Sequence, residues 1–329
     1  MRVCIIGAGA IGGFIGTRLA AAQRAQVSAI ARGATLSALR EHGWRVKSGD
    51  TVLHAKARAT DDARELGVQD VVIIAVKGPA LGAVAQSIAP LLGPYTLVLP
   101  AMNGVPWWFC EGVAGIDAAP LLSVDPGGAV ARAIPLPHVV GCVVHASTST
   151  PEPGLVQHRL GQGLIVGEPL GGKSERVQRL VDLLAHAGFD ATHSANIRYD
   201  VWYKLWGNLT MNPVSAITGA NIGAILADPL VREFCSAAMR EAAAIGARLG
   251  CPIEQTPEDR HAVTARLGAF KSSMLQDVEA GRAIELDAIV AAVHEIAQRL
   301  RMEAPNIGAL LGLTRLFGRV HGLYPQAPT

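Results

Sequence analysis

The chain has 329 residues, half of them hydrophobic and 17% charged, and its 29 Lys and Arg nearly balance 27 Asp and Glu for a formal charge of +2. That length is long for one core and points to two domains, and the apolar share excludes intrinsic disorder. With no run of Lys or Arg longer than two, the charge pattern gives no reason to expect nucleic acid as a partner.

The five cysteines, Cys4, Cys110, Cys142, Cys235 and Cys251, are odd in number and scattered, which suits reduced thiols in a cytoplasmic protein. Met1-Arg2 before an uncharged stretch imitates a secretion signal, but five glycines between Gly7 and Gly16 spoil its apolar region. Other apolar runs, such as residues 71–76, are too short to span a bilayer. A soluble cytoplasmic protein is expected, with no membrane partner.

In chain order, Val3-Cys4-Ile5-Ile6 reads as a buried strand running into Gly7-Ala8-Gly9-Ala10-Ile11-Gly12. Phe14, Ile15, Leu19 and Ala20 follow at helical spacing, and residues 26–31 form a second strand. This completes a βαβ unit of about thirty residues, the setting in which a glycine-rich loop becomes a dinucleotide fingerprint. Gly7 would permit the turn, Gly9 would let backbone approach a pyrophosphate at Ala10 and Ile11, and Gly12 would let helix pack on strand. A helix N-terminus favours that negative charge. The competing reading is a closely packed structural turn.

At the tip of the second strand an NAD binder usually carries Asp or Glu for the ribose 2′-hydroxyl, whereas this chain has Arg32. A guanidinium suits a 2′-phosphate, so NADP(H) is expected over NAD(H), the bland alternative being a solvated arginine at a strand end.

Residues 36–41 suggest a short helix closed by Gly43, and residues 44–46 with 52–55 a hairpin around Ser48-Gly49-Asp50. Residues 70–76 form a continuous apolar run, as in strands buried on both faces of a parallel sheet. Lys77 stands at its end. A helix over residues 81–92 and a strand over 96–100 follow, with Asn103-Gly104 just beyond. Ligands of open α/β sheets bind outside the carboxyl ends of strands, which makes Lys77 and Asn103 candidate contacts for cofactor and substrate; a surface lysine and a turn pair are the plain readings.

Short strands are expected between 121 and 167, then a helix over 175–187. Beyond about residue 194 the pattern is helical, with Asp228-Pro229 and Thr256-Pro257-Glu258-Asp259 opening two helices and a further helix expected over 285–302. The expected fold is therefore α/β: an N-terminal Rossmann-type doubly wound sheet over residues 1–194 that binds NADP, followed by an all-helical domain over 195–329 that carries substrate and catalysis.

In residues 197–213, Lys204, Asn208 and Asn212 fall at i, i+4 and i+8 and share one helix face beside Val201, Leu205 and Leu209. A partly desolvated lysine near a cation or cofactor can deliver a proton to a nascent alkoxide. The alternative is a lysine whose stem covers apolar surface, with asparagines solvating a kink at Pro213. No histidine or cysteine cluster has metal-ligand spacing, so no metal is expected.

Taken together, the glycine loop, Arg32-Gly33, Val76-Lys77, Asn103-Gly104, Lys204-Leu205 with Asn208 and Asn212-Pro213, Ser272-Ser273-Met274-Leu275-Gln276-Asp277 and Glu285-Leu286-Asp287 resemble the ketopantoate reductase (2-dehydropantoate 2-reductase) family, in order, over essentially the whole chain. The resemblance implies NADPH-dependent reduction of 2-dehydropantoate to pantoate, a step of pantothenate biosynthesis. It further implies Lys204 as general acid and Glu285 as the carboxylate that binds the substrate hydroxyl and supports that lysine. Asn208, Asn212 and Ser273 would hold substrate, Asn103 would lie at the reacting end, and Lys77 and Arg32 would contact cofactor.

Without the resemblance, Glu285 and Asp287 read as helix-start acids and Ser272 and Ser273 as an N-cap. After Asn103-Gly104 the chain continues Val105-Pro106-Trp107-Trp108-Phe109, bulkier than is usual in the family. These rings would narrow the pocket toward another acyl chain, pack beneath the loop or meet a second subunit. A reductase of a different 2-keto acid and a non-catalytic NADPH-binding sensor stay open as alternatives, as does a homodimer through the helical domain.

Overall fold

The computed structural model describes residues 1–117, 119–266 and 268–326. Cα proximity divides the chain into two units, Met1–Asn103 with Ala129–Asp200, and Gly104–Gly128 with Val201–Thr329.

The first unit contains β1 (Arg2–Ile6), α1 (Ala10–Ala21), β2 (Gln26–Ile30), α2 (Gly33–His42), β3 (Trp44–Ser48), β4 (Thr51–Ala55), β5 (Arg58–Thr60), β6 (Val71–Ile74), α3 (Leu81–Ser87), β7 (Leu97–Pro100), α4 (Ala129–Ala133), β8 (Gly141–Glu152), β9 (Leu155–Gly167), α5 (Glu175–His186) and β10 (Asp190–Ser194). Five strands form a wholly parallel sheet in the order β5-β2-β1-β6-β7. The chain winds outward from β1 to β5 and then returns to the other side of β1. The strand order therefore reverses between β1 and β6, the place where open α/β sheets hold nucleotides. Ile6 pairs with both Ile30 and Ile74, and Ile74 with Pro100, so four strand ends lie level.

Residues 121–167 do not extend this sheet. They supply β8 and β9, a long irregular hairpin that joins β3, β4 and β10 in a second, mixed sheet. Helix α1 packs against both sheets, and its glycines make that possible. A Cβ on Gly12 would lie 3.0 Å from Ile5 of β1, on Gly13 2.6 Å from Val156 of β9, and on Gly16 2.5 Å from the Trp44 ring of β3. One apolar core thus includes Val3, Ile5, Phe14, Ile15, Trp44, Val156 and Val166.

The second unit is helical: most of α6 (Ile197–Thr218), then α7 (Ile222–Ala227), α8 (Pro229–Arg248), α9 (Pro257–Ala265), α10 (Ser273–Glu279), α11 (Ala292–Arg299) and α12 (Pro305–Val320). Asp228 caps α8 by accepting from Leu230 and Val231 N–H, each at 3.0 Å, with Pro229 at the first helical position. Thr256 and Asp259 form a reciprocal capping box on α9. The expected helix over 285–302 is not continuous: a π-helical turn, Asp287–Ala291, precedes α11, and Glu285 lies outside both.

By Cα proximity the first unit runs on to Asp200, and residues 104–128 group with the helical unit. Residues 104–128 leave the N-terminal part because their apolar and hydrogen-bonding partners lie in the helical one. Phe109 stacks on Trp202 with centroids 5.6 Å apart, and Glu295 of α11 accepts from Leu122 N–H, Ser123 N–H and the Ser123 hydroxyl at 2.7–2.9 Å.

Candidate active site

In the first unit, β1 ends at Ile6 and the chain turns at Gly7, whose φ of +89° lies in the left-handed region. A Cβ there would meet Val76 Cγ1 at 2.7 Å and Ala75 O at 2.8 Å, so only glycine fits. Gly7 N–H donates to Ile30 O at 3.0 Å, fixing the loop to the end of β2. Gly9 is the N-cap of α1 and offers no side-chain cap, and the first turn holds no acid. The N–H groups of Ala10, Ile11 and Gly12 therefore lack intrahelical acceptors.

A Cβ on Gly9 would meet nothing within 4 Å, whereas one on Gly12 would lie 2.0 Å from Gly7 O. The three glycines thus differ: Gly7 makes the turn, Gly9 faces open space and Gly12 lies against the Gly7 backbone. Bare amides facing open space at a helix start fit the pyrophosphate of a dinucleotide.

Arg32 is exposed at the N-cap of α2, two residues past β2. Among the described residues its guanidinium has no hydrogen-bond or ion-pair partner. Lys77, half-buried, caps the short 3-10 turn that follows β6, and Asn103, also half-buried, comes three residues after β7. Glycine loop, Arg32, Lys77 and Asn103 all follow the carboxyl ends of strands in one parallel sheet.

In the second unit, α6 carries Lys204 and Asn208, both half-buried, and Asn212, 6% exposed. The rotation of this helix is fixed from behind. Trp202 and Trp206, each 1% exposed, donate their indole N–H to Ala242 O at 3.1 Å and Met239 O at 2.7 Å on α8. Two residues along a helix is about 200° of rotation, so anchoring both tryptophans on α8 turns Lys204 away from it.

The serine pair divides its tasks. Ser272 is buried, and its Oγ accepts from Leu275 N–H at 3.0 Å to cap α10, whereas Ser273 is exposed at the first helical position. Glu285 is half-buried just ahead of the π-helical turn. Its neighbour Asp287 accepts from the Tyr324 hydroxyl at 2.5 Å, and Ile284 N–H donates to Leu323 O at 3.0 Å. The C-terminal residues thus clasp the Glu285 segment on both sides. Burial holds the Asp287 carboxyl above its ordinary range, the Tyr324 bond partly offsetting this, and burial with Asp287 as neighbour pushes the Tyr324 phenol up to about 12.

The aromatic run after Gly104 is buried. Trp107, Trp108 and Phe109 are 5%, 1% and 0% exposed, and Phe109 packs on the α6 tryptophan behind the Lys204 face. Gly104 adopts φ +86°, and a Cβ there would lie 2.5 Å from Ala288 O in the π-helical turn. Among the described residues, no group of three or more His, Cys, Asp or Glu could hold a metal ion.

Sequence reasoning passed over Arg260, which lies against Tyr203 and Gly207 on α6. A glycine in a helix interior was the available signal, since such a residue often marks a close approach.

Two family models match the chain: ketopantoate reductase PanE/ApbA over residues 3–171, and its C-terminal counterpart over residues 196–317. The chain belongs to the ketopantoate reductase family. A 2-dehydropantoate 2-reductase of Mesorhizobium japonicum is 42% identical over 325 residues, covering 98% of this chain and 100% of that one. A Ralstonia solanacearum crystal structure, reported as a candidate ketopantoate reductase, shares 53% identity with a TM-score of 0.93, over 98% of this chain and 99% of that one. A D-mandelate dehydrogenase solved with NADH and anilino(oxo)acetate superposes with a TM-score of 0.84 over 98% of this chain and 100% of its own; at 21% identity the likeness is one of fold. The expected Rossmann-type sheet with a helical C-terminal part is therefore the fold of a ketopantoate reductase.

Proposed function

We propose that this chain is an NADPH-dependent reductase of a 2-keto acid, with 2-dehydropantoate as substrate and pantoate as product. The observation that carries the reading is the lysine-bearing face of α6, turned from α8 by two anchored tryptophans, in a chain whose other unit offers a glycine cradle open at Gly9.

Gly7, Gly9, Ala10, Ile11 and Gly12 would hold the pyrophosphate, Arg32 the 2′-phosphate, and Lys77 a further part of the cofactor. When bound, the cofactor supplies hydride from nicotinamide C4 to the substrate carbonyl carbon. Negative charge then grows on the carbonyl oxygen, and Lys204 Nζ donates a proton there. Glu285 favours the charged amine ahead of transfer, opposing the desolvation that would neutralise it, and takes the substrate hydroxyl. Asn103, Asn208, Asn212 and Ser273 orient the substrate through amides and a hydroxyl, which add no competing acid.

Steady-state NADPH oxidation with a panel of 2-keto acids tests this. Highest kcat/KM for 2-dehydropantoate is expected. A clear preference for another 2-keto acid favours the broader reductase reading, and nucleotide binding without turnover of any acid favours a sensor. Among the described residues no helix is long and apolar enough to cross a membrane. A homodimer is part of the proposal: Leu313, Leu316 and Val320 leave an exposed apolar face along α12 that self-association would cover. Light scattering would return the mass of two chains, and the mass of one would overturn it.

A further inference from the structure

Helix α6 carries a glycine in its interior, which costs about 1 kcal/mol relative to alanine. The structure shows what occupies the space: a Cβ on Gly207 would lie 3.0 Å from Nε and 3.1 Å from Nη2 of Arg260. The guanidinium, from the first turn of α9, thus rests on the α6 backbone. It also lies over the Tyr203 ring, 4.9 Å from its centroid, and Nη1 reaches the Tyr203 hydroxyl at a long 3.4 Å. That hydroxyl donates to Gln255 Oε1 at 2.7 Å, so its own proton is committed elsewhere.

Tyr203 and Gly207 are the residues one before and three after Lys204, so Arg260 lies along the flank of the lysine face. Its Nε is buried with no hydrogen-bond acceptor, and among the described residues no carboxylate pairs with it. A half-buried arginine without an anion is a costly arrangement unless an anion arrives. A Cβ at Gly207 would crowd the guanidinium, so the glycine is what admits Arg260 to this place on α6.

We infer that Arg260 binds the carboxylate of the 2-keto acid. This rests on the proposed reductase reading. The substrate class carries a carboxylate next to the carbonyl that Lys204 protonates, so an anion arrives beside that lysine with each turnover. A planar guanidinium fork matches a carboxylate better than amides or a hydroxyl do, and it supplies the charge that Asn208, Asn212 and Ser273 lack. Arg260 would then select 2-keto acids over uncharged ketones, with the amide side chains setting orientation.

The test compares the parent with Arg260→Gln and Arg260→Lys, using 2-dehydropantoate and its primary amide as substrates. For Arg260→Gln, KM for the acid is expected to rise about 10- to 100-fold with kcat within about fivefold, as befits loss of a charge-assisted bond. NADPH affinity, read by nucleotide fluorescence, should not change. The preference for acid over amide should largely vanish and return in part with Arg260→Lys. If Arg260→Gln does not fold, Gly207→Ala displaces the guanidinium while favouring helix, and the same rise in KM is expected. Unchanged KM and acid preference in a folded variant, even one with lowered Tm, would show that Arg260 only braces α9 on α6. Failure of the parent to reduce any 2-keto acid would instead overturn the reductase reading, and this inference with it.

Discussion

Gly9→Ala separates a nucleotide cradle from a structural turn. The residue sits at φ −79°, which alanine adopts, and its added Cβ would touch nothing within 4 Å. Folding stability should therefore stay level or rise by about 0.4–1 kcal/mol, because alanine restricts the unfolded chain. Only an anion drawn toward the amides of Ala10, Ile11 and Gly12 would collide with the new methyl. Loss of one hydrogen bond to a charged group is worth about 1.5–3 kcal/mol, or roughly 10- to 100-fold in NADPH affinity. Gly12→Ala is the contrast: its Cβ would lie 2.0 Å from Gly7 O, so both stability and affinity should fall. Thermal melts and nucleotide fluorescence titrations read the two effects. A Gly9→Ala protein that binds NADPH as tightly as its parent would refute the cradle.

Arg32→Ala should weaken NADPH about 10- to 100-fold and NADH by less than about threefold, and an unchanged ratio of the two would remove Arg32 from the 2′-phosphate site. Phe109→Ala empties a fully buried site against Trp202 and should cost about 3–5 kcal/mol in urea unfolding; a cost below about 1 kcal/mol would show the site can collapse. For Glu168, burial, which alone would raise the carboxyl, is outweighed by hydrogen bonds from Arg176 and Ser174, so its folded-state pKa is depressed. Its stabilisation is therefore full above the unfolded carboxylate value and lost as pH falls through the lowered one. Glu168→Gln should destabilise at pH 7 by about 1–2 kcal/mol, discounted for partial exposure, and the deficit should shrink on acidification; a deficit constant with pH would contradict this.

Local signals carried the sequence reading far. The glycine loop, the apolar run before Lys77 and the caps at Asp228 and Thr256 each depend on neighbours a few residues away, and each appears where expected. What was illegible depended on distant partners or on one overlooked residue. The helix expected over 81–92 stops at Ser87 because Pro90 cannot continue it, and a 3-10 turn replaces its end. The hairpin of β8 and β9 escaped because bulges between His145 and Glu152 break its alternation, and the edge strand β10 because its exposed face hides any apolar pattern. Residues 104–128 read as part of the first domain, since nothing local reveals that Phe109 belongs beside Trp202. At the site, the spacing of Lys204, Asn208 and Asn212 was readable, but their common direction was not, because it is set by indole bonds to a helix more than thirty residues on. Likewise the helix expected from Glu285 begins later, in a π-helical turn against Gly104, a contact that no periodicity encodes.

The role of Lys204 as proton donor is the point on which the proposed chemistry turns, and Lys204→Ala assayed with 2-dehydropantoate and NADPH examines it most directly. A fall in kcat of about 10²- to 10⁴-fold, with NADPH affinity kept within about twofold, is the predicted result. Turnover equal to that of the parent protein would contradict it.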